Sequence, residues 1–403
     1  MSTWAILALQ VACGTAAGLT LVTLLSLALL RRQPPPVPER WPSLLLVRPC
    51  EGADDGLLTE NILSSATATY PGPRRVRVLV PSEDDPAWVA SLKAADEAAR
   101  LPAAPSIEVV CTRIPAGGNR KVAQLLCGTA GATEEIIVNA DSDVRLEGDD
   151  LMRLVAALLA DPTSGAAFAP PQEVQPMTIW DRASAALVGG SQQSFLALYA
   201  VSRALGGVPS LAGALYAYRR EAMERAGGLE DLRHVLGEDH ELARRLARAG
   251  HGIALSAGPA RCMDAGRSAR EVIERAGRWL MVVRAQRPWL LLGYPLLLAA
   301  TPLHLALAAL VHNPLHAAMA VGLWGLRAVL AAWLARLLER PPPRGPLWAA
   351  LEVLRAELLL WAALVRSLWS RHICWRGHRY RVGPGGYLIP QGVYGAPPQA
   401  RQL

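Results

Sequence analysis

The run EEIIVNADSDVRL, Glu134 to Leu146, closes an apolar stretch with two aspartates one residue apart. On an extended strand, positions i and i+2 point to the same face, so Asp141 and Asp143 are expected to converge. Two carboxylates aimed together repel unless a cation sits between them, and a divalent ion with oxygen ligands, Mg2+ or Mn2+, is the usual resident. What such an ion would hold depends on the rest of the chain.

Three other stretches carry residues able to do chemistry. GGNRKVAQL places Asn119, Arg120 and Lys121 at a helix start, either as a polar first turn or as contacts to a phosphate-bearing ligand. LGEDHELARRLARAG puts Glu238 and Asp239 at the start of an amphipathic helix, where Asp239 reads as a helix cap or as a general base. ERAGRW sets Arg275 and Arg278 three apart on one helix face beside Trp279, a set that suits either interfacial anchoring or neutralising a diphosphate leaving group.

The elements expected to position these groups alternate. Ser43 to Val47, Val76 to Val80, Ile107 to Val110 and EIIVNA read as buried strands. Leu57 to Thr69, Trp88 to Arg100 and Lys121 to Ala130 read as the helices between them. That order predicts an α/β fold with a mostly parallel sheet and ligands at the carboxyl ends of the strands, where the two aspartates lie. Asp149 or Asp150 can cap a helix through Leu159, and Ser268 with Glu271 makes a capping box. Asp181 to Tyr218 is apolar and poorly periodic, and suits a membrane interface and a buried core segment equally well.

At 403 residues and 52% hydrophobic content, the chain concentrates its apolar excess in two places. No charged residue occurs from Met1 to Leu30 or from Pro288 to Leu326, and each run is long enough to cross a bilayer. Arg31-Arg32 follows the first run, so an uncleaved anchor (1–30) and a short proline-rich linker (31–40) lead into a domain over 41–287 on the cytoplasmic side. Trp289–Val311 and Leu315–Leu338 read as a hairpin, and Pro346–Trp369 as a third, charged candidate, giving transmembrane or interfacial helices over 288–370 and a basic tail over 371–403. Arg327 needs a partner there, for which Glu352 or Glu357 is available. Counting crossings leaves the C-terminus outside, whereas Arg371, Arg376, Arg379 and Arg381 favour the inside. The net charge of +7 is almost all arginine, with Lys93 and Lys121 the only lysines and no basic block with interleaved aromatics, which argues against nucleic acid. Six cysteines without C-x-x-C spacing fit free thiols in a reducing compartment.

Taken together, RPCEGADDGL, VPSEDDPAW, GGNRKVAQL, ADSDVRL, GALYAYRREAMERAGGL, GEDHELARRLARAGHGIALS, RAGRW and WRGHRYRV resemble, in order and spacing, the ceramide glucosyltransferase family, glycosyltransferase family 21. They are also similar to the bacterial hopanoid-associated glycosyltransferases. The resemblance implies a GT-A (Rossmann-like) catalytic domain, a nucleotide-sugar donor such as UDP-glucose, a lipid acceptor such as ceramide, a hopanoid or diacylglycerol, inversion at the anomeric carbon, and a multi-pass protein of a bacterial inner membrane. Asp141 matches the family's second aspartate and, with Asp143, would bind metal and diphosphate; Asp239 matches the third, the base. Arg275, Arg278 and Trp279 match its (Q/R)-x-x-R-W element, and Lys121 would contact the donor. Aligned on the DDPA of Asp84 to Ala87, the family's first aspartate falls on Ser82, so the donor contact passes to Glu83, Asp84 or Asp85. Ser82 leaves open a membrane protein that binds a sugar nucleotide without transferring it. A processive polysaccharide synthase has too few membrane segments here to form an export channel.

Overall fold

A computed structural model describes residues 3–30, 35–52, 56–114, 117–207, 210–263, 265–337, 345–375 and 377–393. Arg31, Arg32, Asp54, Asp55, Arg376, the first part of the linker and residues 394–403 lie outside the described residues.

The chain opens with α1 (Thr3–Leu30) and then alternates β1 (Leu44–Pro49), α2 (Leu58–Thr67), β2 (Arg74–Val80), α3 (Pro86–Ala99), β3 (Ile107–Cys111), α4 (Arg120–Thr129) and β4 (Ile136–Ala140). It continues through β5 (Val144–Arg145), α5 (Asp150–Leu159), β6 (Ser164–Phe168), β7 (Pro171–Glu173), α6 (Ile179–Ala204), β8 (Leu215–Arg219), α7 (Arg220–Arg225), α8 (Glu238–Arg248), β9 (Gly252–Leu255), β10 (Ala260–Cys262) and α9 (Ala269–Gln286). The last part holds α10 (Ala300–Val311), α11 (Pro314–Leu337), α12 (Pro346–Trp369) and the strands β11 (His372–Trp375), β12 (His378–Val382) and β13 (Leu388–Val393).

The central sheet runs β3-β2-β1-β4-β8-β6-β9. β1 to β4 are parallel and β8 is antiparallel to both its neighbours, so the sheet is mainly parallel. Strand alternation builds both faces at once. Leu44, Leu46, Ile136 and Val138 enter one core, while Leu45, Val47 and Ile137 enter the other. Each fully buried Leu or Ile contributes about 1.5–3 kcal/mol. The order of strands reverses between β1 and β4, and the crevice beyond their carboxyl ends is where such sheets take ligands. Two short sheets flank it. β5-β10-β7 lies just past the acidic turn, and β11-β12-β13 is formed by residues 372–393 of the segment read as a basic tail.

The piece from Asp181 to Tyr218 divides in two. Its first part is α6, which packs on α1 and α12 and sends Leu196 and Tyr199 into the core of the sheet domain; its last residues are the antiparallel strand β8. β8 shows no polar alternation because both its faces are buried, which hides it inside an apolar run.

Among the described residues, two helices are long and apolar enough to cross a membrane, within α1 and α11. A third crossing exists if the bent pair Pro288–Leu298 and Ala300–Val311 forms one span. The single arm expected over Trp289–Val311 is bent by 64° at Ala299. Pro302 has no N–H for the carbonyl of Leu298 and its ring crowds that carbonyl, so the helix breaks there. Side chains take over the freed groups. Arg327 donates to the carbonyls of Leu297 and Leu298, Glu357 accepts from the Thr301 amide at 2.7 Å, and Trp361 donates to the Ala299 carbonyl at 2.8 Å. Glu357 also pairs with Arg327, while Glu352 faces Arg182 at 3.7 Å. α12 runs along α9 and α6, joined by Ala183, Leu187, Ala276, Leu280, Leu360 and Ala363.

Candidate active site

β4 ends at Ala140, and the two aspartates sit in a turn closed by the Val144 amide donating to the Asp141 carbonyl at 3.0 Å. The two aspartates therefore lie on a turn, and not on the strand whose alternation suggested that they converge. Beneath the turn lies Arg48, the largest fully buried side chain. It donates to the carbonyls of Asp141 and Val144, both at 2.7 Å, and to Ser65 at 2.9 and 3.1 Å. Burial lowers its pKa, against the fields of Cys50, Asp143 and Asp141. The far side of the turn is pinned by the Met263 amide, which donates to the Asp143 carbonyl at 2.7 Å.

A buried cation joins the turn to α8. The Lys121 ammonium is 2.6 Å from Asp141 Oδ1 and 3.5 Å from Glu238 Oε1, and donates to the Gly213 carbonyl at 2.9 Å. Burial opposes its charge, but Asp141, Glu238 and Asp239 outweigh that and hold its pKa above the ordinary lysine value. For Glu238, burial dominates; with Asp239 and Asp141 adding repulsion against the pull of Lys121, its carboxyl is raised to about 7. Asn119 is the polar helix start expected of it, and it also reaches the start of α8. It caps α4 through the Val122 amide at 3.2 Å, and its side-chain amide donates to Glu238 at 3.0 Å and to the Val235 carbonyl at 2.8 Å.

Asp239 lies in the first turn of α8, whose N-cap is Gly237 with no side-chain cap bond, so the helix-cap reading of Asp239 does not hold. A Cβ on Gly213 would stand 2.9 Å from Asp239 Oδ2, so any larger residue there would press on this carboxylate. The segment leading into α8 is held by the C-terminal sheet. The Leu388 amide donates to the His234 carbonyl at 2.7 Å, the Leu236 amide to the Gly386 carbonyl at 2.9 Å, and the His234 and Tyr387 rings stack with centroids 5.2 Å apart.

On α9, Arg275 is paired with the buried Glu173 and lies over the Trp279 ring at 4.8 Å; Arg278 is half-buried one turn along. Glu173 also takes Arg267 at 3.1 Å and the Ser184 hydroxyl at 3.1 Å. The thiol of Cys262, raised by burial, feels Asp143, Arg275, Glu173 and Asp141 together, so the sheet β5-β10-β7 brings the arginine element to the acidic turn. Asp85 caps α3 through the Ala87 amide at 2.9 Å and accepts from the Gly52 amide at 3.0 Å, tying the loop after β1; Asp84 is exposed.

A magnesium-like ion is typically held by one or two carboxylates plus the oxygens of a phosphate ligand. Asp141 and Asp143 are two carboxylates of the kind such an ion takes. The Lys121 ammonium lies 2.6 Å from Asp141 Oδ1, so a metal bound at this carboxylate would share it with that cation or take its place. No cluster of three or more His, Cys, Asp or Glu able to hold a metal occurs among the described residues, which leaves the remaining ligands to the donor.

The sequence profile of Glycosyl transferase family 21 matches residues 7–388. The chain belongs to this family. It is a glycosyltransferase, and its matched region runs from α1 into the C-terminal sheet. The fold is similar to that of the mannosyltransferase PcManGT from Pyrobaculum calidifontis, solved with GDP-Man and Mn2+, at 22% identity and a TM-score of 0.51, over 89% of this chain and 98% of that one. A mycobacterial protein of known structure matches at 18% identity and a TM-score of 0.39, over 64% of this chain and 77% of its own. The comparison with curated proteins gives no match.

Arg48, Glu173 and Gly213 were not singled out from the sequence. Arg48 stands inside a quoted motif, and a charge at the end of an otherwise apolar strand was the available signal.

Proposed function

We propose that this family 21 enzyme transfers a sugar from a nucleotide-sugar donor to a lipid hydroxyl, with inversion at the anomeric carbon. The observation that carries the reading is the meeting of Asp141, Lys121, Glu238 and Asp239 at the strand-order reversal of the sheet. Glucose from UDP-glucose and a ceramide acceptor follow from the family resemblance; a hopanoid or diacylglycerol uses the same chemistry.

Asp141 and Asp143 would hold a divalent cation, Mg2+ or Mn2+, which supplies positive charge to the donor diphosphate when bound. Lys121 adds fixed positive charge on the Asp141 side, and Arg275 and Arg278 with Trp279 close the site from α9. Asp239 takes the proton from the acceptor hydroxyl as that oxygen attacks opposite the leaving group. Arg48 keeps the acidic turn in place, and Asn119 fixes Glu238 beside the base. Asp84 and Asp85 border the nucleoside end, Asp85 by anchoring the loop after β1.

The placement of the C-terminal sheet supports a topology. Because β11 to β13 pack on the segment before α8, α12 lies along the same side as the catalytic domain and does not cross. With α1 crossing once and the bent pair and α11 forming a hairpin, the catalytic domain and Arg371, Arg379 and Arg381 share the cytoplasmic side of a bacterial inner membrane.

Membranes carrying Asp141→Asn and Asp239→Asn test the roles with labelled nucleotide sugar and lipid extract. Asp141→Asn is expected to lose both transfer and Mn2+-dependent nucleotide binding, and Asp239→Asn to lose transfer while keeping binding. Normal turnover in either variant removes the role assigned to it.

A further inference from the structure

A groove of about 120 Å³ opens between α1, α6, α11 and α12. Its walls are largely aliphatic, with Leu298, Leu330 and Leu360 among them, and Gly189 and Gly190 leave a stretch of α6 without side chains. A Cβ on Gly190 would meet nothing within 4 Å, so the space beside it is open. Glu173 also lines the groove, and it is the residue that holds Arg275 of the R-x-x-R-W element.

The polar groups along this groove are not equivalent. Arg327 is paired with Glu357, and Arg182 faces Glu352. Glu173 divides its two oxygens. Oε1 takes Arg275, Arg267 and Ser184, whereas Oε2 is buried and has no hydrogen-bond partner among the described residues. A buried carboxylate oxygen asks for a donor, an O–H or an N–H. A lipid phosphate has no such donor to give when ionised, and the guanidiniums beside the groove already face carboxylates.

The geometry points to this groove as the acceptor site, occupied by a neutral lipid whose headgroup donates a hydrogen bond to Glu173 Oε2. The alkyl part lies along α6 and α12, where the glycine pair and the aliphatic walls receive it. Because Glu173 touches both the groove and Arg275, the headgroup is brought to the edge of the donor site by a single side chain. The inference rests on the lipid transfer proposed above and adds where the lipid sits and what holds its head.

Gly190→Trp tests it without disturbing an ion pair, since a side chain replaces glycine in a helix and points into open space. The full-length protein in detergent is supplied with labelled nucleotide sugar and the total lipid extract of cells that carry the gene. Gly190→Trp is expected to raise the extract concentration giving half-maximal rate by about tenfold or more, while calorimetric affinity for nucleoside diphosphate with Mn2+ stays at the wild-type value. Glu173→Gln, which keeps the shape of the side chain, is expected to move the same acceptor dependence. A Gly190→Trp enzyme with unchanged acceptor dependence overturns the groove and leaves lipid transfer standing. A wild type that hydrolyses the donor yet labels no lipid overturns the acceptor class, and the groove with it.

Discussion

Two arginines, the buried Arg48 under the acidic turn and the largely covered Arg327 among the membrane helices, each donate to a pair of backbone carbonyls beside a break in regular structure. Arg327 also has a carboxylate, Glu357, which in turn holds the Thr301 amide and hydroxyl. Arg48 has no carboxylate at ion-pair distance among the described residues; its counter-charges are the acids of the turn above it, acting through space. The difference follows from what each charge is for. In the bundle the ion pair neutralises a guanidinium that lipid would not tolerate, and it stitches a broken helix. Under the turn the positive charge is left to act on the place proposed for the donor diphosphate, and a fixed charge there costs no reorganisation during reaction.

The comparison can be broken at either arginine. The largest effect is expected from Arg48→Met, which strips the Val144 carbonyl of its Arg48 donor at roughly 1–3 kcal/mol, leaves the Asp141 carbonyl only the Val144 amide, and loosens the turn. Sugar transfer is expected to vanish and the melting temperature of the purified protein to fall. A variant that melts lower but turns over normally would show that Arg48 only supports the fold. Glu357→Gln is expected to cost about 3–5 kcal/mol by leaving a guanidinium unpaired, with donor binding retained. The double variant Arg327→Met, Glu357→Met is expected to recover part of that loss, and thermal melts of the three proteins read it. If the single and double variants melt alike, the ion pair has no neutralising role.

Much of the fold could be read from the chain before its structure. β1 to β4 are buried on both faces, and strands of that kind read as short apolar runs between helical stretches. The capping box of Ser268 and Glu271 is local and was legible for that reason. So was the need of Arg327 for an acid, although Glu357 and not Glu352 takes it. What escaped notice depends on distant segments meeting. β8 is hidden in an apolar stretch, and the break at Ala299 lies inside a run whose average hydropathy is that of a simple span. Glu173 is a lone acid with no motif around it, and its partners Arg267 and Arg275 come from the far end of the domain. Lys121 read as part of a polar helix start or as a phosphate contact, and nothing in GGNRKVAQL reveals that Asp141 lies 2.6 Å away.

The acids at the switch point are proposed to move a sugar onto a lipid. Mass spectrometry of lipid extracts from cells expressing the wild type or Asp239→Asn tests it most directly. The account predicts a neutral lipid heavier by one hexose in the wild type and its absence in the variant, with both proteins present at equal levels in the membrane. The same glycolipid in both extracts, or in neither, would contradict it.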